Sequence, residues 1–281
     1  MKRNTSSSVA IGAWAILLSV MLAGSASATL LVGVLTRDGI VIATDSRLNR
    51  VTPAGDHQVF SDNAIKLVSV QSRFLVAMCG KSGIGNKEIW RCIEEMEGKF
   101  TRTTNIEGFA KKLAKMLSKA YRAEYGEDSK EPSITLMVAG YKDGVGRLVE
   151  VLVPAGTTRV LHTTDEPGMV WCGEGGMIIE RLILGVDKRV AEDTRWDEED
   201  KKALRQREFF LPLPYVVLED AIRLAVLAIK TTIEWSEFIK GDATEPELFH
   251  PTVGGPIDVA VVTPEGTRWI ERKSVLGLKY R

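Results

Sequence analysis

Thr29 directly follows Ala26-Ser27-Ala28. A threonine placed at the start of a chain carries a hydroxyl nucleophile and an α-amine that can serve as its base. The residues before it have the order of a leader that would create such a start. Lys2 and Arg3 are positive, residues 9–23 (VAIGAWAILLSVMLA) are apolar and uncharged, and Gly24, Ser25, Ala26, Ser27 and Ala28 are small. That order is the template of a secretory signal peptide. The apolar run falls short of the ~20 residues a helical membrane span needs, so no stable membrane anchor is expected. A cut that uses Ala26 and Ala28 as its small residues leaves Thr29 first; a rival cut after Ala26 leaves Ser27 first. No cysteine stands at the junction, so a lipoprotein anchor is not supported. The expected organisation is a signal peptide over 1–28 and one domain over 29–281, exported to the periplasm or the extracellular space.

The elements that must position Thr29 follow from hydrophobic patterning. Residues 29–36 (TLLVGVLT) read as an apolar, β-branched strand. Arg37-Asp38-Gly39 is a hairpin turn, and 40–44 (IVIAT) is the return strand. A looser segment with Pro53, Gly55 and Asp56 precedes a second strand pair, 64–70 and 73–79. Gly80, Gly83 and Gly85 then lead into a helix with Ile84, Ile89, Cys92, Ile93 and Met96 on one face, and 106–124 repeats the helical period. Residues 133–140 and 147–153 are strands about the turn Lys142-Asp143-Gly144. A third helix begins after Gly173 to Gly176, and 215–233 forms a fourth, strongly apolar one. The last hairpin is 257–262 with 267–271. Residues 187–209 are highly charged and lack an apolar face, as a solvated helical insertion or a subunit contact would. Two helical layers over two antiparallel sheets bury every one of these faces, so the fold class is α+β, a four-layer αββα sandwich. The opening and closing strands can share a sheet, with residue 29 at the end of a central strand.

Composition excludes several classes. The 37 basic and 37 acidic residues cancel, and no polybasic stretch points to nucleic acid. The histidines His57, His162 and His250 are scattered, and no cluster has metal-ligand spacing, so neither metal nor other cofactor is expected. Three cysteines (Cys79, Cys92, Cys172) make no dense disulfide framework. One disulfide is available after export, with a third thiol left over. The apolar strand around Cys79 favours a core position for it.

Four motifs stand in register behind the cleavage site. They are Thr29-Leu30-Leu31-Val32-Gly33-Val34; Asp45-Ser46-Arg47 after Gly-Ile-Val-Ile-Ala; Asn63-Ala64-Ile65-Lys66-Leu67; and Ala77-Met78-Cys79-Gly80 with Gly83 beyond. With IDVAVVTPEG at 257–266, they resemble the 20S proteasome β-subunit family and its bacterial relatives, within the N-terminal-nucleophile hydrolases. The resemblance covers most of 29–281, apart from 187–209 and a stretch near 235–250. It implies that Thr29 attacks a carbonyl, that Lys66 stands as a cation near its hydroxyl, and that Asp45 pairs with Lys66. It implies further that the Gly80 N–H donates to the tetrahedral oxyanion. Peptide would lie along Ser46, Arg47 and Leu48 and along Gly80, Lys81 and Ser82, with Leu48, Ala64 and Met78 lining the first specificity pocket. Met78 at the pocket floor suits an apolar or small side chain; core packing is the competing role for it.

Two supports of that pattern are replaced. Where the family carries Gly-Ser-Gly, this chain has Gly173-Glu174-Gly175-Gly176, so Glu174 stands for the serine that contacts the terminal amine. Pro251 and Gly254 stand where the family has an Asp and a Ser. A carboxylate at 174 can hold the protonated amine in place of both. The expected function is an exported threonine peptidase acting on peptides or unfolded polypeptide, self-associating as a homo-oligomer, a ring being the form the family implies. An amidohydrolase acting on a small amide and a catalytically silent structural subunit are the competing functions.

Overall fold

The computed structural model describes residues 29–51, 57–101, 103–127, 134–173, 175–186, 196–238 and 252–274. The expected leader, residues 1–28, lies outside them, as do Glu174, Pro251 and 187–195 of the charged insertion.

The opening hairpin forms as its pattern predicts, with β1 (Leu30–Leu35) and β2 (Ile40–Thr44). Every residue of both strands is buried, which explains why the run is apolar throughout rather than alternating. β3 (Leu48–Val51) and β4 (His57–Ser61) make a two-stranded ribbon in the segment expected to be loose. β5 (Leu67–Val70) and β6 (Phe74–Gly80) follow. A short hairpin, β7 (Gly83–Ile84) with β8 (Lys87–Glu88), delays the first helix, so α1 runs over Ile89–Glu97 instead of starting near Ile84. α2 (Ile106–Tyr125) starts where the Asn105 side chain accepts the Gly108 N–H at 2.9 Å, a helix N-cap.

β9 (Ile134–Lys142) and β10 (Val145–Val153) are the expected pair. The chain then continues with two strands the patterning did not give, β11 (Thr157–Thr163) and β12 (Gly168–Gly173). α3 begins at Gly176 and passes into a π-helical turn over Ile179–Leu184. α4 (Glu198–Arg205) lies in the charged insertion, with Asp197 capping it through the Asp200 N–H. After a 3-10 turn (Leu213–Tyr215) comes α5 (Leu218–Phe238). β13 (Asp258–Thr263) and β14 (Gly266–Glu271) close the described chain.

The strands form two five-stranded antiparallel sheets, ordered β12-β1-β2-β13-β14 and β11-β10-β9-β6-β5. The opening and closing strands share the first sheet, with β2 between β1 and β13, and β1 is an interior strand. The fold is thus α+β, built on antiparallel sheets and helices.

The buried apolar residues divide into three clusters. Leu31, Leu35, Ile40 and Ile42 of the first sheet meet Leu75, Ala77, Met137 and Leu148 of the second. The opposite face of the second sheet (Phe74, Val76, Val138) packs with Ile93, Phe109, Leu113 and Tyr121 of α1 and α2; Phe74 and Phe109 stack at 4.5 Å. The opposite face of the first sheet (Leu30, Val32, Val34, Val41) packs against Ala221, Ala225, Ala228 and Ile229 of α5. Those alanines recur on one helical face, and their small size lets α5 lie close on β1 and β2.

Candidate active site

The hairpin register explains why sixteen positions separate Thr29 from Asp45. Leu31 pairs with Thr44 and Val32 with Ala43. One step further, Leu30 stands opposite Asp45, and the Asp45 N–H donates to the Leu30 carbonyl at 3.1 Å. Thr29 is therefore set beside Asp45 and Ser46 by β-pairing, with no long-range contact required.

Asp45 is fully buried and works as a hub. Its Oδ1 accepts the Leu30 N–H at 2.9 Å and the Lys66 ammonium at 2.8 Å. Its Oδ2 accepts the Arg47 N–H at 3.1 Å and the Gly254 N–H at 3.0 Å. One carboxylate thus ties together the residue after Thr29, the strand end it belongs to, the lysine and the segment before β13. Lys66 is 3% exposed and Asp45 0%, so this ion pair is shielded from solvent. The Lys66 carbonyl accepts the Met78 N–H at 3.0 Å, which fixes the lysine against β6. Burial pulls the Lys66 pKa below the ordinary lysine value, while Asp45 holds it up.

A second buried pair adjoins the first. Lys273, just after β14, ion-pairs with Asp258 at the start of β13, and its backbone N–H also donates to Asp258 at 2.8 Å. The same ammonium donates to the Ser46 hydroxyl at 2.8 Å. Its positive charge is a further influence lowering the Lys66 pKa. Two buried lysines and two buried carboxylates are therefore linked through the Asp45-Ser46 segment. Sequence reasoning missed Asp258 and Lys273. Asp258 left one trace, a charged residue opening an otherwise apolar strand; Lys273, within Glu271-Arg272-Lys273, left none.

Two glycines end strands with positive φ. Gly173 ends β12 at φ +121°, and a Cβ there would lie 1.5 Å from the Thr29 carbonyl oxygen, so only glycine lets the backbones approach. Thr29 itself is 1% exposed. Gly80 ends β6, half-buried, at φ +91°. Gly254, at the position where a family serine was expected, supplies two backbone bonds instead. Its N–H goes to Asp45, and its carbonyl accepts the Ser46 N–H at 3.0 Å. The Arg47 guanidinium lies over it, where a Cβ would come within 2.3 Å, and is held there by Asp62.

The other candidate residues fall into two groups. Ser46 is buried and bound to Lys273, Leu48 is half-buried in β3, and the half-buried Ala64 donates its N–H to the Ser46 carbonyl at 3.0 Å. Thr29, Asp45, Ser46, Lys66 and Ala64 are thus connected. Met78, by contrast, is buried among Val68, Ile84 and the α1–α2 residues. Lys81 turns towards α2, its ammonium 3.8 Å from the Tyr125 ring centroid, and the Ser82 carbonyl accepts the Ile89 N–H. Glu174 lies outside the described residues. Among the described residues, no group of three His, Cys, Asp or Glu could hold a metal, and no helix is long and apolar enough to cross a membrane.

The fold is one that this chain shares with solved structures. The solved structures it resembles are Anbu proteins. One is Anbu (ancestral beta-subunit) from Yersinia bercovieri, 17% identical, TM-score 0.55, covering 86% of each chain. Another is Anbu from Hyphomicrobium sp. strain MC1, 16% identical, TM-score 0.54, covering 87% of this chain and 86% of that one. These findings correct the family reading: the neighbours are proteasome-like relatives in a distinct Anbu family, not 20S β-subunits. The motifs misled because a hairpin and a buried Asp–Lys pair are geometry that a whole fold can share. No family model matches the chain, and no curated protein matches it.

Proposed function

We propose that this chain is an exported threonine peptidase whose nucleophile, Thr29, is exposed when the bond after Ala28 is cut. The observation that carries the reading is the buried Asp45 carboxylate, which binds the Lys66 ammonium and the Leu30 N–H through one oxygen. It fixes a cation against the backbone immediately after Thr29. In the full chain the Thr29 nitrogen is an amide; only after cleavage is it a base, with a reference pKa of ~7.7–8.

In this reading the α-amine takes the proton of the Thr29 hydroxyl, and Lys66 favours the developing alkoxide. The oxygen attacks the peptide carbonyl, the Gly80 N–H stabilises the oxyanion, and the leaving amine departs with the proton. Water then hydrolyses the ester on Thr29. The Gly254 N–H stands in the place where a serine was expected, with Glu174 assigned to the amine. Peptide or unfolded polypeptide is the substrate, laid along Ser46–Leu48 and Gly80–Ser82. The division of the core into three clusters supports the four-layer αββα stacking. The aromatic residues Phe210, Tyr215 and Phe238, each more than four-fifths exposed, support self-association as a homo-oligomer.

The pH profile of peptide hydrolysis tests this reading. kcat/KM rises as the α-amine loses its proton and falls again as Lys66 loses its own. Because burial lowers the Lys66 pKa, the alkaline limb comes in below the ordinary lysine value of ~10.4. Lys66→Arg, which keeps its charge, moves that limb to higher pH. A profile with no alkaline limb, or one indifferent to Lys66→Arg, removes Lys66 from the mechanism.

A further inference from the structure

The three thiols take no part in the chemistry above, and two of them meet. Along β6, Phe74, Val76 and Met78 face the α1–α2 cluster, while Leu75, Ala77 and Cys79 face the first sheet. Along β12, Met169 and Trp171 pack with the α5 cluster, while Val170 and Cys172 pack into the core between the sheets. The period-two alternation of each strand therefore brings both thiols into the same inter-sheet core from opposite sides. Stacked sheets ordinarily lie ~10 Å apart, yet Cα atoms of β6 and β12 come within 8 Å here. The two thiols lie close enough to perturb each other's titration, as does Thr135, on the strand next to β6, for Cys172. Cys92 is elsewhere, half-buried on α1.

We propose that Cys79 and Cys172 are a redox-modification site, oxidised by a low-molecular-weight disulfide to a bridge that joins the two sheets beside Thr29. Both are reduced thiols in the structure. The bridge would link the residue before Gly80 to the residue before Gly173, whose backbone meets that of Thr29. The inference goes beyond the peptidase reading and does not depend on it.

The environment assigns an order to the two steps. Hydrogen bonds from Cys79 and then Thr135 lower the Cys172 pKa, against its burial, whereas the shared bond and burial raise that of Cys79. Cys172 is also the more exposed of the two. Its thiolate attacks the small disulfide; one small thiolate leaves, takes up the released proton, and a mixed disulfide remains on Cys172. The Cys79 sulfur then attacks the Cys172 sulfur, and its proton goes to the second departing small thiolate. In balance, two protein thiols are oxidised and one small disulfide is reduced to two thiols.

The test uses the full chain carrying Cys92→Ser, incubated with oxidised glutathione. It is then unfolded in N-ethylmaleimide and digested without reduction. The expected result is loss of both alkylatable thiols and a peptide pair joined through Cys79 and Cys172, separated again by dithiothreitol. A further Cys79→Ser substitution should stop the reaction at a glutathione adduct on Cys172. The proposal is overturned if both thiols stay alkylatable, or if the adduct persists on Cys172 while Cys79 is present. Because the readout is mass and linkage, a chain without peptidase activity still gives a decisive answer.

Discussion

Replacing Thr29 with alanine leaves a folded chain whose kcat for peptide hydrolysis falls by at least about 10⁴-fold, the scale of losing a nucleophile. The alanine chain still offers an α-amine, the Asp45–Lys66 pair and Gly80, but no oxygen to carry the acyl group. Asp45 reaches this end of β1 through the Leu30 N–H, which the substitution leaves in place. The hairpin therefore keeps its anchor, and the unfolding midpoint should move by less than about 4 °C. Thr29→Ser retains turnover, because serine supplies the same hydroxyl and amine; it is slower, since it lacks the methyl that restricts χ1. Kinetics with a fluorogenic peptide and a thermal melt of each variant measure both halves. Full activity in Thr29→Ala places the nucleophile elsewhere.

The second large effect is on stability. Asp45→Ala takes the ion-pair partner from a buried ammonium and removes the acceptor of three backbone N–H groups, those of Leu30, Arg47 and Gly254. Breaking one side of a buried pair costs about 3–5 kcal/mol, a large part of a domain's ~5–15 kcal/mol. Lys66→Met is milder by about 2 kcal/mol or more, because the carboxylate left behind keeps its backbone donors, each net bond to a charged group contributing ~1.5–3 kcal/mol. Urea unfolding at neutral pH gives both values, and equal losses would deny Asp45 its role as hub. The pH dependence has a fixed sign. The folded Lys66 pKa lies below the unfolded value of ~10.4, so between the two the unfolded chain binds the extra proton. Stability contributed by this residue therefore rises with pH through that window. Without Asp45 the folded Lys66 pKa falls further, so the Asp45→Ala deficit is greatest below that lower value and shrinks as pH rises to the wild-type folded pKa.

The parts of the site that were legible in the sequence are those that local pairing determines. A tight hairpin between two wholly apolar strands fixes Asp45 against Leu30, so the position of the acid relative to Thr29 could be counted off. Lys66 was harder to place but sits at the mouth of a readable strand pair. β11 was not legible, because its polar residues (TTRVLHT) lie at a sheet edge and carry little apolar signal. β12 is short and glycine-bounded, and its alternation matters only once two core clusters exist to receive it. Lys273 has the composition of a surface run, and only tertiary folding buries it against Asp258 and Ser46. The thiol pair failed to show for the same reason: ninety-odd residues separate Cys79 from Cys172, and facing sheets rather than sequence spacing bring them together. The family itself was misread, since the hairpin and the buried Asp45–Lys66 pair mark the fold rather than one family within it.

The central claim is that Thr29 becomes a chain terminus. Mass spectrometry of the protein recovered after expression with its own residues 1–28 in an exporting host tests it directly. The account predicts a mature chain that begins at Thr29 with an unblocked α-amine. A chain that begins at Ser27, or that keeps residues before Thr29 while hydrolysing peptide, contradicts it.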